Sequence, residues 1–395
     1  MKPVFFLHLS LLLLNGLLHG QSSAVAVFRS GEDGYATYRI PAIIRLHDGQ
    51  LLAFCEGRVN GGADFGDIDI VMKSSRDNGK TWSALQVVAE AGSLQAGNPA
   101  PVVDDTDPAY PNGRILLFYN TGNASEHDVR KGKGLREVWY TASADGGLHW
   151  SAPVNITPQT HRPNQPDINP AYHFSEDWRS YANTPGHALQ LKSGTYRGRI
   201  YVAANHSAGD PRLNFADYNS HGFYTDDHAA SFHLSTSIPV PGSNESMAVE
   251  NIPGRVMVQF RNQSGLPRLR GVATSADGGV SWDSLYNDPK LPDPICQGSI
   301  LDVKNGHHQR VIVCCNNADT LRRNNLTLHV SYDGGYTWAR KILIDGSADP
   351  VPTDYTAYSD LADLGHKKVG VLYERNNYSE IVFKQVRWAS GNKGF

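Results

Sequence analysis

The chain has 395 residues, 40% hydrophobic and 19% charged, with a formal net charge of −3. That hydrophobic fraction is ample for a core and excludes a disordered, highly charged chain, while the charge balance leaves no basic field for a polyanion, so nucleic-acid binding has no support from composition. With 38 Gly and 22 Pro the chain is rich in turns, and no low-complexity linker marks a second domain.

At the N-terminus, Lys2 is followed by an apolar run from Val4 to Leu18. This reads as a secretory signal peptide over residues 1–22, with cleavage between 20 and 26, leaving residues 23–395 as the mature domain. The alternative is an uncleaved anchor. No second apolar stretch follows, so no membrane span is expected in the mature chain, and the expected location is secreted or periplasmic.

Next in order comes Tyr38-Arg39-Ile40-Pro41, ahead of an apolar strand from Ala42 to Leu46. The proline fixes the entry of the chain and leaves Arg39 at the mouth of that strand. Then a short pattern, Ser/Thr-x-Asp-x-Gly-x-Thr-Trp in its fullest form, begins at Ser75, Ser143, Ser275 and Ser331. A worn copy from Thr225 to Phe232 has Ala229 in place of Gly and Phe232 in place of Trp.

Alternating apolar runs precede the full copies: Asp69 to Ser74, Glu137 to Ala142, Leu269 to Thr274 and Leu326 to Val330. These read as half-buried strands. In each turn the Asp can accept hydrogen bonds from nearby backbone N–H groups, the Gly takes a positive φ, and the Trp buries surface beneath the turn. A repeat at this spacing, each copy a few antiparallel strands, predicts an all-β fold: a six-bladed β-propeller of four-stranded antiparallel blades.

Two further arginines end or precede strands. Arg261 closes the strand from Arg255 to Phe260, and Arg323 stands before the run at Leu326. In a propeller the strands of different blades converge on one axial mouth, so Arg39, Arg261 and Arg323 can share a site. The rival reading of each is a solvated surface residue or a salt bridge.

The Tyr38–Pro41 tetrapeptide, the repeated turns, Asn244-Glu245 sixteen residues before Arg261, the segment Ala357 to Leu361 and the segment Val371 to Glu374 occur in an order that resembles an exo-α-sialidase (neuraminidase) of the secreted bacterial type. The resemblance spans residues 27 to 387. It implies that Arg39, Arg261 and Arg323 clamp the carboxylate of sialic acid, with Glu374 holding Arg39. It further implies Tyr358 as nucleophile, Glu245 as the carboxylate that activates it, and Asp64, in the loop Gly61 to Asp67, as acid/base. Arg58 resembles the residue that contacts the sugar's 4-hydroxyl. Where many bacterial members place an aspartate beside that arginine, this chain reads Gly97-Asn98-Pro99-Ala100, so Asn98 is expected in an altered subsite.

The chemistry explains the residue types. Planar guanidinium groups pair bidentately with a carboxylate and stay charged. A carboxylate nucleophile would meet repulsion at an anomeric carbon that already bears a carboxylate; a neutral tyrosine avoids it, and needs an adjacent base. A general acid must protonate the leaving oxygen and later deprotonate water. The expected function is retaining hydrolysis of terminal α-linked sialic acids from glycoproteins, glycolipids and oligosaccharides. The alternatives are a non-catalytic sialic-acid-binding propeller and a trans-sialidase. Competing residues are Glu250 for Glu245 and Arg322 for Arg323, and Asp64 has a turn reading among Asp67 and Asp69. No cofactor or metal is required, and a monomer is expected.

Cys55, Cys296, Cys314 and Cys315 show no metal-ligand spacing, and both a disulfide and buried thiols are open to them. Asn-x-Ser/Thr sequons stand at Asn123, Asn155, Asn205, Asn244, Asn262, Asn325 and Asn377.

Overall fold

The computed structural model describes residues 23–305, 309–348 and 354–389. The predicted signal peptide, residues 1–22, lies outside them. After β1 (Val25–Arg29) come β2 (Thr37–Arg45), β3 (Leu51–Arg58), β4 (Ile68–Ser75) and β5 (Gln86–Ala89), then β6 (Gln95–Asp104), β7 (Arg114–Gly122), β8 (Arg136–Ser143) and β9 (Val154–Asn155). There follow β10 (Trp178–Asn183), β11 (Leu189–Gln190), β12 (Ile200–Ala208), β13 (Tyr218–Thr225) and β14 (His233–Leu234). Next are β15 (Ser243–Ile252), β16 (Arg255–Asn262), β17 (Leu269–Ser275) and β18 (Ser284–Pro292). The last are β19 (Ser299–Asn305), β20 (Gln309–Asn317), β21 (Leu326–Ser331), β22 (Arg340–Asp345), β23 (Thr356–Gly365), β24 (Lys368–Arg375) and β25 (Glu380–Arg387).

These strands form antiparallel meanders arranged as a β-propeller. β15 to β18 make one four-stranded sheet and β19 to β22 another. A third is β23, β24 and β25 with β1 on the outer edge, so the first described strand completes the last sheet and closes the ring. The expected uniformity of four strands fails elsewhere. β11 adds to β12 in a five-stranded sheet, and a parallel pair, Ile68 with Gln95, fuses the β2–β4 and β6–β9 meanders into an eight-stranded one.

Each of the main apolar clusters is shared by two successive meanders. Ile43 and Leu51 of the first pack with Leu372 and Phe383 of the last. Cross-strand hydrogen bonds hold each meander, and burial between meanders holds the ring.

All five repeats occupy the same place, the turn that leaves the third strand of a meander. In the first, the Ser75 hydroxyl donates to Asp77 Oδ1 (2.8 Å) and accepts the Gly79 N–H (2.9 Å), while Asp77 accepts the N–H and hydroxyl of Thr81 at 3.0 and 2.7 Å. The worn copy repeats every bond, from Thr225 to Asp227 (2.8 Å), Ala229 N–H to Thr225 (3.0 Å), and Ser231 N–H and hydroxyl to Asp227 (2.9 and 2.6 Å). The tryptophans are half-buried rather than engulfed; Trp82 packs edge-on to Phe383 at 5.5 Å, joining the first meander to the last.

All four cysteines are buried free thiols, with no disulfide among them. Among the described residues no helix is long and apolar enough to cross a membrane.

Candidate active site

One pocket at the centre of the ring is lined by Arg39, Arg58, Asp64, Asn98, Glu245, Arg261, Arg323 and Tyr358 together. They come from β2, β3, the β3–β4 loop, β6, β15, β16, the β20–β21 loop and β23 respectively. Glu374, on β24, sits behind the wall and is fully buried. Arg322, the competing candidate, is exposed and outside the pocket, whereas Arg323 lines it.

Strand irregularities bring these side chains to the axis. The ladder slips between Arg39 and Ala42 in β2, Gly97 and Ala100 in β6, Ser243 and Ser246 in β15, and Thr356 and Ser359 in β23. A bulge leaves a residue unpaired and re-aims its side chain. Glu245 and Tyr358 lie inside such slips, and so does Asn98. Two of the bulges share a device: a residue at positive φ before a proline, Ile40 (φ 60°) before Pro41 and Asn98 (φ 55°) before Pro99. A β-branched residue rarely adopts that conformation. Ile40 is held there because its N–H donates to Glu374 Oε1 at 2.9 Å.

Glu374 orders one side of the pocket. Its Oε1 also accepts Arg39 Nε at 2.7 Å, and its Oε2 accepts the backbone N–H of Tyr358 at 3.2 Å. Burial works against the Arg39 charge, but the Glu374 carboxylate outweighs it and pushes the guanidinium pKa up. Arg39 lies 4.0 Å over the ring of Tyr378, whose hydroxyl accepts from Arg323 Nη1 at 3.0 Å and donates to Asp354. Tyr378 and Asp354 were not read from the sequence; no spacing distinguishes Tyr378 from other turn tyrosines.

The Tyr358 hydroxyl donates to Glu245, with Oε1 at 2.6 Å and Oε2 at 2.8 Å. Arg261 Nη1 donates to both, to Glu245 Oε2 at 2.7 Å and to the Tyr358 oxygen at 2.9 Å. Burial, then the Glu245 charge, raises the phenol pKa well above its usual value, against the opposing pull of Arg261 and Arg323. The phenol is therefore neutral at rest, with its proton already aimed at a carboxylate. Glu250, the competing candidate, stands away from the pocket: its carboxylate accepts the backbone N–H groups of Lys192 (2.8 Å) and Gly254 (2.9 Å), pairs with Arg310 (3.1 Å) and is bonded by Ser193.

On the facing wall, buried Arg58 is gripped by Glu56, with Nη2 and Nε 2.6 and 3.0 Å from Oε2. Its Nη1 donates to the Gly62 carbonyl at 2.7 Å and pairs with Asp64 Oδ1 at 2.8 Å. Asp64 is 80% exposed at the lip. Its surroundings cost it some hydration, yet the charges of Arg58, Arg39 and Arg323 prevail and hold its carboxyl below the usual carboxylate range.

Glu56 occupies the ground beside Asn98. Its Oε1 accepts the Asn98 N–H at 3.0 Å, and a Cβ on Gly97 would come within 2.5 Å of that oxygen. Glu56 is directly opposite Arg39 in the β2–β3 ladder, and its place two residues before Arg58, on the same face of the strand, is the signal for it in the sequence. Beyond it the wall continues through Gln95, Asn120 and Arg136, where the Asn120 amide and Arg136 Nε have no protein partner. This wall is built of hydrogen-bonding groups suited to a polyhydroxylated ring.

Among the described residues, Asp104, Asp107 and His228 cluster at metal-ligand distances. Arg114 pairs with Asp107 at 3.1 Å and approaches Asp104 at 3.7 Å, so a guanidinium already supplies the positive charge there.

A model of the BNR repeat-like domain matches residues 49–374, most of the chain. The protein belongs to the BNR repeat-like domain family. Proteins similar to it over most of its length include sialidases. It is 31% identical over 382 residues to a sialidase of Micromonospora viridifaciens, an alignment covering 92% of this chain and 53% of that protein. The chain thus spans about half the length of that relative. It is 27% identical over 381 residues to Sialidase-2 of Cricetulus griseus, covering 90% of this chain and 93% of that one. Among solved structures, the Hadza microbial sialidase Hz136 superposes with a TM-score of 0.77 at 23% identity, over 92% of this chain and 68% of that chain, a likeness of fold.

Proposed function

We propose that residues 23–395 form a six-bladed sialidase domain that removes terminal α-linked sialic acids from glycoconjugates with retention. What carries this reading is the neutral Tyr358 phenol 2.6 Å from Glu245, inside a pocket flanked by Arg39, Arg261 and Arg323. Counting six blades treats the β2–β5 and β6–β9 meanders as two blades bridged by one pair; the apolar clusters between successive meanders support that count. The leader-like run in residues 4–18 supports export of the domain.

Three guanidinium groups take the substrate carboxylate and fix the anomeric carbon over the Tyr358 oxygen. As that oxygen attacks, its proton passes to Glu245, and Arg261, bonded to both, steadies the charge as it moves from carboxylate to phenolate. A tyrosine nucleophile is a known departure of sialidases from the two-carboxylate glycosidase scheme, so it is precedent for the reading and not deduced from the geometry. Asp64 gives its proton to the leaving oxygen and then takes one from water; two inversions at one carbon yield net retention. Glu374 positions Arg39, while Arg58 and Asn98, ordered by Glu56, face the sugar's hydroxyls.

The test is release of a fluorogenic aglycone from an α-sialoside by wild type and by Tyr358→Phe. Wild-type turnover with loss in the variant is expected; equal rates would sink the mechanism, and an inactive wild type would favour a sialic-acid-binding propeller. Proton NMR of the first-formed product separates free α-sialic acid from transfer to an acceptor sugar.

A further inference from the structure

Among the described residues the three most exposed large apolar side chains are Leu213 at 90%, Leu266 at 80% and Leu321 at 80%. Each stands in the loop between the second and third strands of its meander: β12–β13, β16–β17 and β20–β21. Those loops are on the pocket face. Leu266 follows Arg261 and Gln263, and Leu321 precedes Arg323, all three of which line the pocket.

The loops are also neighbours. The Gly242 N–H bonds the Tyr218 carbonyl and its own carbonyl accepts the Gln263 N–H, linking the first loop to the second. The segment 293–295 donates to the Arg268 carbonyl and accepts from Arg323, linking the second to the third.

An arginine accompanies each leucine: Arg212, Arg268 and Arg322. None of the three guanidinium groups has an ion pair or side-chain hydrogen bond among the described residues, whereas Arg130 and Arg179 beside the first loop are both paired. Acids stand among them as well: Asp210 shares Arg179 with Asp177, and Asp319 accepts the backbone N–H groups of its own turn and keeps its charge three residues before Arg322. One face of the chain therefore carries, only a few residues from its pocket, three exposed leucines each accompanied by a guanidinium that has no ion-pair partner among the described residues.

We propose that this rim docks on an anionic lipid surface, the leucines entering the headgroup boundary and the arginines meeting lipid phosphates, so that the pocket opens toward sugars carried by the membrane. Apolar tips alone insert weakly and basic residues alone are displaced by salt; side by side their contributions add. That the membrane-borne sugars are sialoglycolipids rests on the sialidase reading, whereas lipid binding does not.

The experiment is co-flotation of the full chain with phosphatidylcholine vesicles with and without about 20 mol% phosphatidylserine. Wild type is expected to float with the anionic vesicles only and to be released by high salt. The Leu213→Ser, Leu266→Ser, Leu321→Ser triple variant and the Arg212→Gln, Arg268→Gln double variant should each lose binding by about tenfold or more. Failure of wild type to bind anionic vesicles, or undiminished binding by the leucine variant, overturns the proposal.

Sialyllactose is the control for folding. The leucine variant should hydrolyse it at the wild-type rate while losing rate on a ganglioside in vesicles. An equal loss on a soluble sialoglycoprotein would mean that the rim reads protein and would also overturn the proposal. If the chain cleaves no sialoside, the sialidase reading falls and flotation still decides the docking.

Discussion

Glu374 holds Arg39 by one carboxylate oxygen and the backbone of Tyr358 by the other, at 2.7 and 3.2 Å. A single buried side chain therefore sets the distance between the guanidinium proposed to clamp the substrate carboxylate and the proposed nucleophile. Glu374→Gln keeps the shape, removes the charge and leaves Arg39 buried without its partner. Breaking a buried pair in this way costs about 3–5 kcal/mol. Kinetics on a soluble sialoside should show KM raised and kcat lowered together, with a lower melting temperature. A rise in KM alone would mean that Glu374 serves Arg39 only.

Glu245 and Glu250 are five residues apart on one strand yet predict opposite outcomes. Glu245→Gln removes the proton acceptor of Tyr358 and should lower kcat by about 10²–10⁴ with little change in melting temperature. Glu250→Gln loses acceptors for Lys192, Gly254 and Arg310, and should lower stability by about 2–3 kcal/mol with near-normal turnover. Parallel assays of activity and thermal unfolding separate the two.

Much of the scaffold was legible because its turns are local. Ser75, Asp77, Gly79 and Thr81 satisfy one another within seven residues, so the pattern survives in sequence even where Ala229 and Phe232 replace the strict residues. That the arginines, Tyr358 and Glu245 would gather in one pocket was legible through resemblance rather than spacing, and their roles there are proposals. Glu56, Tyr378 and Asp354 were missed because each matters only through a partner brought in by the ring: Asn98 for Glu56, Arg39 and Arg323 for Tyr378. The fusion of two meanders at Ile68 and Gln95 was likewise invisible, since one parallel pair leaves no periodic trace.

The pH profile follows from the charges around Asp64. In the free protein Arg58, Arg39 and Arg323 hold its carboxyl below the usual range, so it is ionised at neutral pH. A general acid works only when protonated, and activity falls as pH rises through its pKa. Bound substrate brings a carboxylate that offsets Arg39 and Arg323, so the pKa of Asp64 rises in the complex. The alkaline fall of kcat, which reports the complex, should lie at least about one pH unit above that of kcat/KM, which reports the free protein. Asp64→Asn should nearly abolish release of a poor leaving group such as lactose and spare a nitrophenol. Coincident limbs, or equal loss on both substrates, would remove Asp64 from the acid role.

The worn repeat offers a test of the scaffold away from the pocket. Ala229 has φ 67°, in the place that Gly79 fills at φ 83°. An L-residue in that conformation costs about 1–2 kcal/mol, against about 0.5–1 kcal/mol of extra chain entropy for glycine. Ala229→Gly should therefore stabilise by roughly 0.5 kcal/mol and raise the melting temperature by about 1 °C, without altering activity. Gly79→Ala has the opposite sign and a larger size, because a Cβ there would lie 2.1 Å from the Phe383 ring that joins first and last meanders. Its cost combines conformational strain with displacement of a core aromatic, about 2–4 kcal/mol, and the melting temperature should drop by several degrees. Equal shifts for the two variants would mean that the turn's φ, and not its packing across the ring closure, is what the glycine supplies.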